Sequence, residues 1–176
     1  MVIEKYGIRL VQLTHDKIEL VRKWRNDPKI QQYMEYRQEI TVEMQEAWFQ
    51  KISSSGKDFF FIMEFEGEEV GLINVKNVDF EKKEGEPGIF IWDDDFLNCG
   101  ASVRASLARN DFAWETLKLE RLVSHVLSDN KRAIRYNKLQ GFVLAPDQES
   151  VYNQKYILEK SNAIKVKEKL IKILKL

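Results

Sequence analysis

The chain has 176 residues, 44% of them hydrophobic, which is enough for one globular domain with a buried core. Lysine plus arginine and aspartate plus glutamate both number 28, so no net field favours nucleic acid or a membrane as a partner. A single cysteine excludes an intrachain disulfide. No apolar stretch approaches the roughly 20 residues that cross a bilayer, and the amino terminus lacks a signal-peptide pattern. These features predict a cytoplasmic protein.

The first half of the chain predicts one strand, two helices and then three antiparallel strands. The alternating segment 8–13 predicts the first strand. A helix follows and ends before Pro28, because proline disfavours helical geometry at the residue before it. Thr41 is placed to cap the second helix. Polar turns then separate three apolar segments, which predict strands at 59–65, 70–78 and 88–92.

The second half of the chain predicts two more helices and three more strands. A loop at 93–101 leads into an alanine-rich helix, and segment 121–127 predicts a strand. Asn130 opens another helix, and a last strand pair lies around 142–143 and 155–158. From this order alone, the fold class is α/β with a mixed sheet.

The carboxy-terminal segment 161–176 alternates lysines with aliphatic residues. This pattern predicts a basic amphipathic helix. Docking on the domain or on a second subunit is the simpler interpretation, and a role at a membrane surface is the alternative.

The segment from Asn130 to Phe142 is the most informative motif of the chain. It reads Asn-Lys-Arg-Ala-Ile-Arg-Tyr-Asn-Lys-Leu-Gln-Gly-Phe. It resembles the segment Asn-x-x-Ala-Ile-x-x-Tyr-x-x-x-Gly-Phe of the GCN5-related N-acetyltransferase (GNAT) family, in which this helix lies beside acetyl-coenzyme A. The family's tyrosine position is Asn137 here, and Tyr136 lies one residue earlier.

The order of predicted elements over residues 8–160 also resembles the GNAT fold. That fold has a central mixed, mostly antiparallel sheet that is flanked by helices and splayed at the strand that binds acetyl-CoA. The resemblance implies a single acetyltransferase domain over residues 1–160, followed by the basic helix at 161–176. It also implies acetyl-CoA as co-substrate, no metal and a possible homodimer.

The loop after the strand 88–92 is the candidate coenzyme A site. A glycine loop that opens a helix offers free N–H groups and a helix dipole to a phosphate, although a plain strand-to-helix connection has the same pattern. The family reads Gln/Arg-x-x-Gly-x-Gly/Ala here, and this chain matches at Gly100 but has Leu97 in the basic or amide position. The family's splayed strand also pairs its free backbone groups with the pantetheine arm. The coenzyme contacts that the resemblance implies are Phe90, Ile91, Trp92, Leu97, Asn98, Cys99, Gly100, Ala101, Ser102, Val103, Arg104, Asn130 and Ala133.

Acetyl transfer to an amine requires a group that takes the proton of the amine. The resemblance assigns this role to Glu86, because many family members carry a glutamate just before the coenzyme-binding strand. Asp79, Glu84 and His125 are the alternatives, with a buried structural role as the simpler interpretation of His125. Asn137 stands where the family uses tyrosine to reprotonate the thiolate. A thiol pKa of roughly 8.5 lets the thiolate leave without much protonation, and Asn137 can donate a hydrogen bond to the sulfur.

The first half of the chain is expected to bind the acceptor. The segment Trp24-Arg25-Asn26-Asp27-Pro28 resembles two GNAT branches, one acting on protein amino termini, as in the ribosomal-protein enzymes, and one on nucleotide-linked aminosugars. The spacing of this segment is closer to the second branch. Tyr33, Tyr36 and Trp48 can stack on a uracil or sugar ring, or can form helix core.

The function that the resemblance implies is direct acetyl transfer from acetyl-CoA to the primary amine of a nucleotide-linked amino-deoxysugar. An amino-terminal protein amine is the second acceptor class. A GNAT-fold module that binds acyl-CoA without turnover is the alternative of a different class.

Overall fold

A single eight-stranded sheet organises the chain. The computed structural model describes all 176 residues. The strands are Val2–Lys5 (β1), Ile8–Gln12 (β2), Phe59–Phe65 (β3), Glu68–Asp79 (β4), Glu84–Ile91 (β5), Arg121–Leu127 (β6), Val143–Leu144 (β7) and Asn153–Glu159 (β8). They lie in the sheet in the order β1-β2-β3-β4-β5-β6-β8-β7. The helices are Ile18–Asn26 (α1), Pro28–Gln31 (α2), Val42–Ser55 (α3), Ala101–Asp111 (α4), Lys131–Leu139 (α5) and Lys160–Leu174 (α6).

The predicted fold class is confirmed. The three consecutive antiparallel strands are present as β3, β4 and β5, and β5 pairs with β6 in parallel. Strands β3 and β6 have the predicted bounds, and the Thr41 hydroxyl caps α3 by accepting from the Met44 N–H. The first strand, β1, was not predicted, because this short edge strand is mostly exposed and lacks an alternating apolar pattern.

The sheet separates two hydrophobic cores. Strand residues alternate between its faces, so that Ile73 lies in the larger core with Ala105 of α4, whereas Leu72 lies in the smaller core with Trp24 of α1 and Ile52 of α3. Helices α4 and α5 therefore lie on one face and α1 and α3 on the other. We call the second face the acceptor face. No helix combines the length and apolarity needed to span a bilayer.

Helix α6 packs against the rest of the domain. Leu170 is only 2% exposed and Ala163 only 8%. Lys167 Nζ lies 2.7 Å from Asp111 Oδ1 at the end of α4. The basic carboxy-terminal helix is therefore docked, with lysines on its outer surface.

The Asp111 carboxylate joins three segments of the chain. Besides Lys167, it accepts hydrogen bonds from Tyr6 Oη (2.5 Å) and Lys5 Nζ (3.1 Å). Burial raises the pKa of Asp111, but the hydrogen bonds from Lys167, Tyr6 and Lys5 outweigh burial and hold the pKa below its usual 3.8. The folded state is thus stabilised by the ionised carboxylate.

We expect Asp111→Asn to lower the free energy of unfolding at neutral pH by about 2 kcal/mol, the scale of hydrogen bonds to a charged group. Because the folded-state pKa is depressed, this stability is present above the unfolded-state pKa and is lost as the pH falls through the folded-state pKa. Urea unfolding of wild type and variant should therefore show a difference that shrinks below pH 3.8. A difference that is the same at neutral and acid pH would contradict this assignment.

Candidate active site

Strands β5 and β6 pair only at their first residues and then separate. Their parallel register covers Glu84↔Arg121 and Gly85↔Leu122, although β5 continues to Ile91 and β6 to Leu127. Beyond that point the facing backbone edges have no partner strand, so they can hydrogen-bond an extended ligand. The predicted splay of the sheet is confirmed.

The register of β5 with β4 decides which backbone groups face this opening. The Trp92 N–H donates to the Val70 carbonyl on β4 (2.9 Å). Since residues two apart in an antiparallel ladder bond the same neighbour, the polar groups of Phe90 also face β4, and those of Ile89 and Ile91 face the opening. The prediction that Phe90 and Trp92 offer their backbone to the coenzyme is therefore wrong. Ile91 remains a candidate, and Ile89 is a candidate that sequence reasoning missed.

The loop before α4 has the features of a phosphate site. Gly100 adopts a left-handed conformation (φ 88°) and caps α4. The first backbone bond of the helix runs from the Arg104 N–H to the Gly100 carbonyl (3.0 Å), which leaves the N–H groups of Ala101, Ser102 and Val103 without backbone partners. These donors and the helix dipole favour an anion. In the same loop, Leu97 packs against the larger core, and Asn98 and Cys99 are exposed.

The Arg104 side chain joins the first turn of α4 to segments near both ends of the chain. Its guanidinium donates to the carbonyl oxygens of Tyr6 (2.6 Å) and Leu174 (3.4 Å). It also lies over the Phe65 ring, 5.8 Å from the centroid. These donors hold the β1–β2 turn and the end of α6 against α4, and the contact of Arg104 with the coenzyme stays a prediction.

Helix α5 packs beside the start of α4, where the resemblance predicts the coenzyme. Asn130 Oδ1 accepts a hydrogen bond from the Ala133 N–H (3.0 Å), so its role as a cap is confirmed. Its contact with the coenzyme, and that of Ala133, remain predictions. The Tyr136 hydroxyl donates to the Ser102 carbonyl (2.7 Å) and lies 2.7 Å from Ser106 Oγ. Tyr136 thus links α5 to the first turns of α4.

Asn137 faces the sheet beneath α5. It is 9% exposed, and its Nδ2 donates to Ser124 Oγ on β6 (3.1 Å). An amide nitrogen carries two N–H groups, so Ser124 uses only one of them, and the hydrogen bond of Asn137 to the sulfur stays a prediction. Ser124 is a neighbour that sequence reasoning missed, because only the packing of α5 on β6 brings the two side chains together.

Glu86 lies on the acceptor face beside the opening. Its Oε1 is 3.0 Å from Lys76 Nζ on β4, and its Oε2 accepts from Asn77 Nδ2 (2.9 Å). The side chain is nevertheless 28% exposed. Both carboxylate oxygens are engaged, so an incoming amine must compete with Lys76 or Asn77 for them.

Strands β5 and β6 separate after a short parallel pairing, Gly100 caps α4 and Asn130 caps α5. This arrangement agrees with the comparison to known families. The model of the acetyltransferase (GNAT) domain matches residues 8–143. The chain belongs to the GNAT acetyltransferase family.

Among relatives, the acetyltransferase PseH of Campylobacter jejuni subsp. jejuni (strain 81-176) is 24% identical over 142 residues, which cover 81% of this chain and 87% of PseH. Among solved structures, apo FdhC, a nucleotide-linked sugar GNAT, aligns with a TM-score of 0.81 at 18% identity over 99% of this chain and 98% of FdhC. Spermidine N-acetyltransferase from Vibrio cholerae, in complex with CoA and spermine, aligns with a TM-score of 0.78 at 18% identity over 90% and 98% of the two chains. These structural similarities show the fold.

Asp79 and His125, two of the alternative proton acceptors in this GNAT domain, differ in their surroundings. Asp79 accepts the backbone N–H groups of Glu81 and Lys82 (both 3.0 Å). The hydrogen bond from the Lys82 backbone lowers the pKa of Asp79, which makes it a turn cap and a weak base. His125 is exposed, so the buried interpretation was wrong. Because Leu122 points into the larger core, alternation along β6 places His125 on the acceptor face.

The three aromatic residues that were predicted to stack on the acceptor or to form helix core are divided between core and surface. Trp48 packs edge-on against Phe60 (5.0 Å between centroids) and belongs to the smaller core. Tyr33 and Tyr36 are 52% and 42% exposed, and so are free to contact a ligand.

A cavity of about 750 Å³ lies beside the acceptor face, between α1, the β3–β4 turn and the end of β5. Glu86 does not line it. Its lining residues are Leu20, Lys23, Trp24, Asp27, Glu64, Gly67, Glu68, Glu69 and Trp92.

Asn137→Ala is expected to weaken transition-state stabilisation by about 1–3 kcal/mol, the cost of one lost buried hydrogen bond, if the amide binds the departing sulfur. Steady-state kinetics should show the loss in kcat, with coenzyme affinity unchanged. Ser124→Ala is the control, because it removes the partner but leaves the amide in place. Equal losses of stability and activity in both variants would contradict a role at the sulfur.

Proposed function

We propose that this protein transfers the acetyl group of acetyl-CoA directly to the primary amine of a nucleotide-linked amino-deoxysugar. The opening between β5 and β6 and the free N–H groups at the start of α4 support coenzyme binding. Ala101, Ser102 and Val103 would hold the pyrophosphate, and the backbone of Ile89 and Ile91 would bond the pantetheine arm. A reaction in the cytoplasm is part of this proposal.

Arg25, a cation without a partner, is the residue that most favours a nucleotide-linked acceptor. Arg25 follows Ile18 and Val21 at helical spacing on the side of α1 that packs on the sheet. Its Nε is buried without a hydrogen-bond partner, and burial lowers the pKa of its guanidinium. A half-buried arginine without a carboxylate partner is suited to an anionic ligand. A nucleotide diphosphate supplies such an anion, whereas a polyamine does not.

Lys76 supports the same acceptor class. Its ammonium lies 3.0 Å from the Glu86 carboxylate, where the attacking amine must approach. This cation repels a second positive charge, which disfavours spermidine-like acceptors. FdhC is described as a nucleotide-linked sugar GNAT, and this also favours the sugar class over the polyamine.

Three groups of the protein take part in the proposed reaction. Glu86 takes the proton of the amine as its nitrogen attacks the acetyl carbonyl. The Ile89 or Ile91 N–H stabilises the negative charge on the carbonyl oxygen. Asn137 donates a hydrogen bond to the departing thiolate.

An acceptor panel tests the proposal by thiol release from acetyl-CoA. It contains a nucleotide-linked aminosugar, the same aminosugar without the nucleotide, spermidine and a peptide with a free amino terminus. We expect the nucleotide-linked sugar to have the highest kcat/KM, and Arg25→Gln to raise its KM without raising that of the free sugar. A preference for spermidine or for the peptide would overturn the acceptor class. Coenzyme binding without transfer to any amine would favour the binding-module alternative.

A further inference from the structure

The carboxamide of Asn74 lies against the backbone of β5. Asn74 and Gly88 are register partners in the β4–β5 ladder. A Cβ atom at position 88 would lie 2.7 Å from Asn74 Nδ2 and 3.0 Å from Asn74 Oδ1. The carboxamide therefore occupies the space that a side chain at position 88 would need.

Asn74 Oδ1 has no partner in the folded protein. It is buried and accepts no hydrogen bond. Leu72, on the same face of the same strand, packs in the smaller core, so an apolar side chain is compatible with this face. A buried amide oxygen without a donor reduces stability. Because Asn74 as a residue is only half-buried, a rotation of its carboxamide would turn this oxygen towards a donor that a bound ligand brings.

The position of Asn74 is next to the expected reaction centre. Glu86 and Phe90 flank Gly88 at two residues on either side and point to the same face. On the free edge of β5, the Ile89 N–H faces the opening, one residue from Gly88. An amine that approaches an acetyl group held at Ile89 therefore meets Asn74 and Glu86 together.

We infer that Asn74 Oδ1 accepts a hydrogen bond from the acceptor amine and directs its nitrogen lone pair at the acetyl carbonyl. The inference rests on the proposed acetyl transfer. In that step the C–N bond forms, the C–S bond breaks with its electron pair on sulfur, and the amine proton passes to Glu86. Asn74 gains and loses no proton, so it binds and orients the nucleophile.

Asn74→Leu tests this role, because it removes the oxygen and keeps a similar volume. We expect kcat to fall by about 10- to 100-fold, the range of one hydrogen bond, with the KM for acetyl-CoA unchanged. The melting temperature should stay at or above that of the wild type, because an unpaired buried oxygen is removed. Gly88→Ala should reproduce the loss of kcat by displacing the carboxamide. Gln50→Leu, on the exposed surface of α3, is the control for exchange of an amide for an apolar side chain.

The outcomes separate this inference from the acceptor class proposed above. The kinetics use whichever amine the wild type acetylates best, so turnover of spermidine alone would remove the aminosugar proposal and leave the Asn74 test intact. A wild-type kcat for Asn74→Leu, or parallel losses of kcat and melting temperature, would overturn the role of Asn74. A wild type that acetylates no amine would overturn both.

Discussion

Replacing Gly100 with glutamate is expected to abolish the stabilisation of the protein by coenzyme A. A Cβ at this position would lie 2.8 Å from Leu174 Cδ2, and φ is 88°, which a residue with a side chain rarely adopts. The carboxylate would also compete with a phosphate for the free N–H groups of α4. Wild type should gain about 2.7 kcal/mol of stability at a coenzyme concentration of 100 times Kd, and the variant should gain none in a thermal shift measurement.

Gly67→Glu is the matched control for this substitution. Gly67 has the same φ of 88° and no atom within 4 Å of a Cβ, in the turn between β3 and β4. It should therefore carry a similar backbone strain and keep the full coenzyme shift. A coenzyme shift that survives in Gly100→Glu would place the phosphates elsewhere.

Glu86→Gln is expected to lower kcat by roughly 100-fold or more, the usual size of a general-base contribution. Glutamine has nearly the same shape but cannot take a proton from the amine. Because Glu86 lies on the acceptor face and not at the phosphate loop, coenzyme affinity should stay at the wild-type value. Timed assays of thiol release measure kcat, and calorimetric titration with coenzyme A measures the affinity.

Glu84→Gln, two residues earlier on β5, is the control for loss of an acidic side chain near the opening. It should keep most of the wild-type kcat. Unchanged turnover in Glu86→Gln with a loss in Glu84→Gln would move the base to Glu84. Unchanged turnover in both variants would move it to His125 or to a water molecule, since Asp79 is committed to its turn.

Features that depend on near neighbours in the chain could be predicted from the sequence. Strand β3 is a continuous apolar run between polar turns, and its bounds were predicted. Asn130 caps α5 through an N–H three residues away, and the capping of α3 by Thr41 has the same spacing. The motif from Asn130 to Phe142 and the order of the elements were enough to indicate the GNAT family.

Features that depend on how distant segments align could not be predicted in this way. The register of β5 with β4 decides which backbone groups of β5 are left free. A shift of this register by one residue would free the groups of Phe90 in place of those of Ile89. The target of Arg104 depends on where both ends of the chain pack.

The sequence by itself determined the family, the glycine loop and the order of the elements apart from β1 and α2, because helix caps, turns and apolar periodicity are set within a few residues. Only the tertiary structure decided that Asn74 lies on Gly88, that Asn137 bonds Ser124 and that His125 is exposed. These contacts join residues on different strands and helices. Their geometry is fixed when the sheet register and the helix packing form together, and no local pattern records it.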